Sequence, residues 1–261
     1  MPSYSPYDWN ESIQQRNEYI EDRLRDGSPV VTLPYDGGLL TLSVRQSQRK
    51  IYEIYDRLMF SAIGNHSDIE QIRIAAIDVA HAEGFSRSPE DVSIQRMVSF
   101  RISPAIKKIY SDPFAQPVVL KGIFAELGKT SDRDQILTLS YDGEFASAAR
   151  FAVIAGTSFA EDAMRSHIES EIEAGPGTLA AVSRIGLVAW GIGKHNLDDR
   201  DRSDTETPQP PAEMGATAVS KHLADGWGVE GAVLERNTNR ESRFRLLTTT
   251  ELGPIVSAFA S

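Results

Sequence analysis

The chain predicts an α+β fold in one domain, residues 1–261, with two sheets in the middle and helices on their outer faces. Three observations lead there. Strand signals come in groups separated by pairs of helical patterns, which suits two packed sheets flanked by helices. Strands and helices do not alternate singly, which argues against a doubly wound sheet. Asp36-Gly37 and Asp142-Gly143 sit next to apolar runs, and tight hairpin turns need the positive φ that such pairs supply.

The elements follow in order. Residues 1–10 are rich in Pro, Tyr and Ser without a clear period. Residues 12–25 read as a helix with few apolar positions: Ile13, Ile20 and Leu24 fall roughly on one face. Gly27-Ser28-Pro29 stops it. Val30, Val31 and Leu33 lead into Asp36-Gly37-Gly38, and Leu39, Leu40, Leu42 and Val44 lead out, as a hairpin. Strands are expected at 50–54 and 58–64. Ile69, Ile72, Ala76, Val79 and Ala80 repeat at helical spacing. A second helix is expected to open at Ser88, with Ser88 as cap, Pro89 in the first helical position and Asp91 at the capping-box position. Val98, Ile102, Ile106 and Ile109 continue it.

Strands are expected at 117–125 and 135–141, with Asp142-Gly143 turning the chain towards another at 151–155. Ser158 is placed to cap a third long helix, and Thr178 opens a fourth through Leu179, Val182, Ile185 and Val188. Residues 191–216 change character: 194–202 are almost wholly polar, and Pro208, Pro210 and Pro211 follow. They read as a mobile insertion within the domain, since too little chain remains afterwards for another. A closing strand pair at 228–235 and 242–247 and a helix at 249–259 complete the order.

A formal net charge of -10 removes the basic footprint of a nucleic-acid binder. With no cysteine there is no disulfide framework and no cysteine metal site. No window reaches the roughly 18 apolar residues of a membrane span, and the start lacks a positive segment followed by an apolar run. A cytoplasmic protein without membrane or nucleic-acid partners is expected. His66, His81, His167, His195 and His222 lack the spacing of a helical metal pair. Asp198, Asp199, Asp201 and Asp204 lack the glycine and glutamate of a calcium loop, and Arg200, Arg202 and Pro208 interrupt them. No Walker pattern is present. No metal or cofactor is expected.

Several stretches carry a resemblance. They are Gln48-Arg49-Lys50-Ile51-Tyr52-Glu53-Ile54-Tyr55-Asp56-Arg57 with Phe60-Ser61-Ala62-Ile63-Gly64, and Gly84-Phe85 with Pro89-Glu90-Asp91-Val92. Leu139-Ser140-Tyr141-Asp142-Gly143, Ala155-Gly156-Thr157, Ala232-Val233-Leu234-Glu235 and Phe244-Arg245 complete the series. In order and spacing, over 28–157 and again from 229 onward, they resemble the alpha-type subunits of bacterial 20S proteasomes, most closely the actinobacterial type. The resemblance implies the four-layer αββα sandwich of the N-terminal-nucleophile hydrolases. It implies a heptameric outer ring on a beta-subunit core, a gate at the pore, and docking of a regulatory ATPase ring.

Catalytic beta-type relatives use a threonine freed at the chain's N-terminus, with its own amine as base and a lysine and an acid in support. Here Gly27-Ser28-Pro29 offers no threonine, and Ser43-Val44, near the acidic position, carries no charge. Lys50 alone is retained. Two readings of Ser28 stand. Cleavage after Gly27 would expose it as the nucleophile of a self-processed hydrolase; alternatively the tripeptide only breaks the helix before the strand. The second is favoured, because Pro29 would restrict the new terminus and the acid is missing, so the chain is expected not to be an enzyme itself. A scaffold of the same fold without a protease partner is a further alternative. Spacing alone makes Lys50 a solvated lysine. The resemblance instead implies a pocket between neighbouring subunits, where its ammonium binds the C-terminal carboxylate of a regulatory particle. Within a gate segment and helix at 1–27, Tyr4, Pro6, Tyr7 and Asp8 resemble proteasome gating segments.

Overall fold

The computed structural model describes residues 6–172, 177–198 and 212–259, with side chains described from residue 10 onward except at 198. Helix α1 (Pro6–Arg25) leads into the hairpin β1 (Val30–Tyr35) and β2 (Gly38–Arg45), then β3 (Ile51–Tyr55) and β4 (Leu58–Gly64). Helix α2 (His66–Ser86) follows. Next come α3 (Ile94–Met97), a π-helical turn (Val98–Ile102) and α4 (Ser103–Ser111). Four strands come next: β5 (Leu120–Glu126), β6 (Gln135–Leu139), β7 (Phe145–Ala148) and β8 (Ala152–Ile154). Helices α5 (Ser158–Glu171), α6 (Leu179–Asp198) and α7 (Ala212–Ala224) precede β9 (Gly228–Glu235), β10 (Phe244–Leu246) and α8 (Thr249–Ser257).

The strands form two five-stranded antiparallel sheets, in the orders β10-β9-β2-β1-β8 and β3-β4-β5-β6-β7. Alternation along each strand sends side chains to two different apolar layers. From the first sheet, Leu40 and Leu42 pack outward against Trp190 of α6 and Met164 of α5. From the second, Phe60 and Phe124 pack outward with Ala76 and Ala80 of α2. Leu39, Met59, Ile123 and Leu234 meet between the sheets. The result is the α+β, four-layer αββα sandwich expected from the element order. Both faces of each sheet are covered, so central strands such as β2 are buried almost continuously. At the β1–β2 turn, Gly38 has φ 149°, and a Cβ there would lie 2.0 Å from the Leu234 carbonyl oxygen. Only glycine satisfies that approach.

Helix α1 closes one end of the sandwich. Its apolar face is sparse, yet Ile20 and Leu24 are fully buried in the layer between the sheets. Arg16 donates to the carbonyls of Ile109, Tyr110, Asp112 and Ala115 at 2.8–3.4 Å. Three of those carbonyls belong to the end of α4, where helical carbonyls lack internal partners and cations are favoured.

Four local expectations are corrected. Ser88 caps only a short 3-10 turn (Pro89–Asp91), and the helix begins at Ile94 behind Ser93, whose hydroxyl accepts from Arg96 N. A part-buried charge pair causes the break. Arg57 binds the Glu90 and Val92 carbonyls at 2.9 and 2.7 Å, while Glu126 accepts from Ile94 N at 2.8 Å. Thr157, not Ser158, caps α5, accepting from Ala160 N at 3.2 Å. Strand β7 intervenes before β8; it is an edge strand paired with β6, largely uncovered, and so lacks an apolar signal. Finally, the ends of the segment read as a loop at 191–216 are helical. Helix α6 continues through Asp198 because Trp190 and Leu197 extend one buried stripe, and α7 opens at Ala212 with Ala218 and Val219 buried. Gly191 lets the two helices cross closely: a Cβ there would lie 2.0 Å from the Gly215 carbonyl oxygen. Residues 199–211, with three of the four clustered aspartates, lie outside the described residues.

Candidate functional site

Lys50 lies on the crossover that carries the chain from β2, in one sheet, to β3, in the other. The crossover folds around the carboxylate of Glu230 on β9. Glu230 is buried, and its oxygens accept from Lys50 N at 3.0 Å, Ile51 N at 3.4 Å and Arg45 Nε at 2.9 Å, with Arg49 Nε at 3.8 Å. Arg45 also donates to the Ser47 carbonyl at 2.8 Å, and the Tyr52 hydroxyl to the Arg49 carbonyl at 2.6 Å. These bonds satisfy backbone groups that leave the sheet ladders.

The Lys50 ammonium itself has no hydrogen bond or ion pair among the described residues. Burial pushes it down from its ordinary 10.5 to about 8, and the Glu230 charge works in the opposite direction. A partly shielded cation without an internal partner is suited to an anionic group from outside.

Ser28 is 5% exposed, two residues before β1. Its hydroxyl donates to the Val44 carbonyl at 2.5 Å and accepts from the Trp190 indole N–H at 2.9 Å. Ser43, on β2, likewise spends its hydroxyl on the Pro29 carbonyl at 2.7 Å. No hydrogen bond joins the Lys50 ammonium to the Ser28 hydroxyl among the described residues. A nucleophilic hydroxyl needs an adjacent base and a free approach; Ser28 has neither in the intact chain.

Of the gate residues, Tyr4 lies outside the described residues. Pro6, Tyr7 and Asp8 form the first turn of α1, and their side chains also lie outside them. Among the described residues no group of three or more His, Cys, Asp or Glu is arranged to hold a metal. No described helix is long and apolar enough to cross a membrane. Reading the sequence alone overlooked Glu230. Its distance along the chain from Lys50 hides the contact, and a single glutamate in a strand pattern gives no warning beyond its being charged.

The architecture and the two residues together define a sandwich of the N-terminal-nucleophile hydrolase type whose nucleophile end is closed and internally bonded. The chain is 28% identical over 258 residues to "Proteasome subunit alpha" of Actinosynnema mirum, covering 98% of this chain and 88% of that one. It is 28% identical over 255 residues to the protein of the same name from a Nocardioides species, covering 97% and 88%. With the Frankia casuarinae protein of that name it shares 30% identity over 185 residues, 70% of this chain and 75% of the relative. No protein-family profile matches the chain. The chain belongs to the proteasome alpha subunit family.

Proposed function

We propose that this chain is a non-catalytic subunit of the outer ring of a cytoplasmic 20S proteasome. Seven copies form the ring, beta-type subunits beneath it carry the threonine-type endopeptidase, and a regulatory ATPase ring docks on top. The segment before about Ser12, with Tyr4, Pro6, Tyr7 and Asp8, occludes the pore.

The observation that carries the non-catalytic part is Ser28, a buried hydroxyl bonded on both sides by Trp190 and Val44. It weighs against the self-processed hydrolase, which would have to break both bonds and move α1 away. The docking part is supported by Lys50, whose ammonium is unpaired among the described residues and partly shielded. Assembly is supported by exposed aromatic side chains on the outer helices. Phe85, at the end of α2, is 97% exposed, and Phe100, in the π-helical turn, is 72% exposed. Rings this exposed have apolar surface that burial against a partner would remove from water.

The test is purification of the tagged chain from its own cells, followed by peptidase assay of the particle and of the chain expressed alone. The expected result is an active particle containing beta-type chains and an inert isolated chain. Activity of the isolated chain that vanishes in Ser28→Ala would overturn the reading.

A further inference from the structure

Glu230 stands opposite Ser43 in the β2–β9 ladder, with its side chain 5% exposed. A carboxylate so placed is unfavourable unless donors satisfy it. All the donors found for it come from one short segment: Arg45, Arg49, and the main-chain N–H groups of Lys50 and Ile51. Its hydrogen bond to Lys50 is therefore made to the main chain, while the ammonium stays unpaired among the described residues. Glu230 also engages the two arginines that precede the lysine, Arg45 and Arg49.

We infer that Glu230 is the positioning residue of the Lys50 site, holding the crossover so that a single ammonium faces an incoming chain-end carboxylate. Without it, the crossover loses the acceptor for two backbone donors, and Arg45 and Arg49 are released as competing cations. The site then changes from one placed point charge to a loose cluster of three. The inference rests on the docking reading above and deepens it.

The experiment uses the assembled alpha–beta particle carrying Glu230→Gln. An ionised carboxylate accepts at both oxygens, whereas the amide offers one acceptor and turns donors towards donors. The probe is a synthetic peptide copied from the C-terminus of the organism's own proteasomal ATPase, with a free carboxylate, compared with its C-terminal amide. Two quantities are read: the peptide concentration that half-activates hydrolysis of a small fluorogenic substrate, and amide hydrogen exchange over residues 45–51. In Glu230→Gln the half-activating concentration should rise about tenfold or more, as expected for one lost charged contact. The maximal stimulated rate should stay near that of the parent. Exchange should quicken in residues 45–51 but not in the centre of β2 or β9.

Glu230→Asp keeps the charge one methylene short and should give an intermediate shift; it decides the matter if the glutamine variant fails to assemble. An unchanged half-activating concentration in either assembled variant overturns the inference, as does a fall in the maximal rate alone. Lys50→Ala in the same assay separates the two levels. If it leaves half-activation unchanged, the docking reading fails. If it abolishes stimulation while Glu230→Gln behaves as the parent, only the role of Glu230 fails.

Discussion

The Trp190 indole N–H donates to the Ser28 hydroxyl across 2.9 Å, tying the middle of α6 to the chain two residues before β1. Trp190 is fully buried, and the His222 and Trp227 rings lie at 5.2 and 6.5 Å from its own. In the intact chain Ser28 therefore spends its hydroxyl on internal hydrogen bonds. Ser28→Ala should leave the indole N–H buried without an acceptor and cost about 1–3 kcal/mol of stability. Denaturant unfolding measures the loss. Hydrolysis of fluorogenic peptides by the isolated chain should be absent before and after the substitution.

Helix α1 makes a second prediction, because it belongs to the subunit's own core as well as to its end surface. Leu24 is fully buried between the sheets. Leu24→Ala should cost about 2–5 kcal/mol, the range for removing a buried leucine side chain. Thermal unfolding of the purified chain checks this, and an unchanged melting temperature would mean that α1 is not docked in solution. Deleting residues 1–27 should destabilise the subunit itself, whatever it does to ring assembly.

Removing only residues 1–10 should spare that packing, since Arg16, Ile20 and Leu24 all remain. The assembled particle should then hydrolyse small peptides faster, because the occluding segment is gone. An unchanged rate would argue against gating by this segment.

A pH dependence follows from Lys50. Its ammonium is pulled down to about 8, chiefly by burial, with Glu230 opposing; Arg45 and Arg49 are the other charges on the crossover. A carboxylate ligand binds the protonated form, so docking should be nearly constant below about pH 8 and weaken as pH rises above it, approaching tenfold per unit. Lys50→Arg should dock more weakly but stay flat between about pH 6.5 and 9.5, since guanidinium remains charged. Half-activation by the free-carboxylate peptide across that range reads both. A flat profile for the parent would place the docking cation elsewhere.

Much of the fold was legible because local chemistry and tertiary demand agreed. Asp36-Gly37-Gly38 announced the first hairpin, and Gly38 does take the positive φ that position needs. The break at Val92 was not legible, because Arg57 and Glu126, distant in sequence, take up the backbone groups there. The end of helix α6 is hidden in the sequence because 194–198 look polar, whereas Lys194 and Asn196 are buried together with Leu197. At the site, Lys50 stood out through a family resemblance and Ser28 through its place after Gly27. The partners that govern them, Glu230 and Trp190, come from β9 and α6 and carry no local signal.

The central claim is that this chain builds a proteolytic particle without cutting peptide bonds. Native mass spectrometry of the tagged chain from its own cells tests it most directly, joined to peptidase assays of the parent and Ser28→Ala particles. The account predicts alpha chains that are not cleaved ahead of Ser28, assembled with beta-type chains, and equal activity in both particles. A mature chain beginning at Ser28, with activity lost in Ser28→Ala, would contradict it.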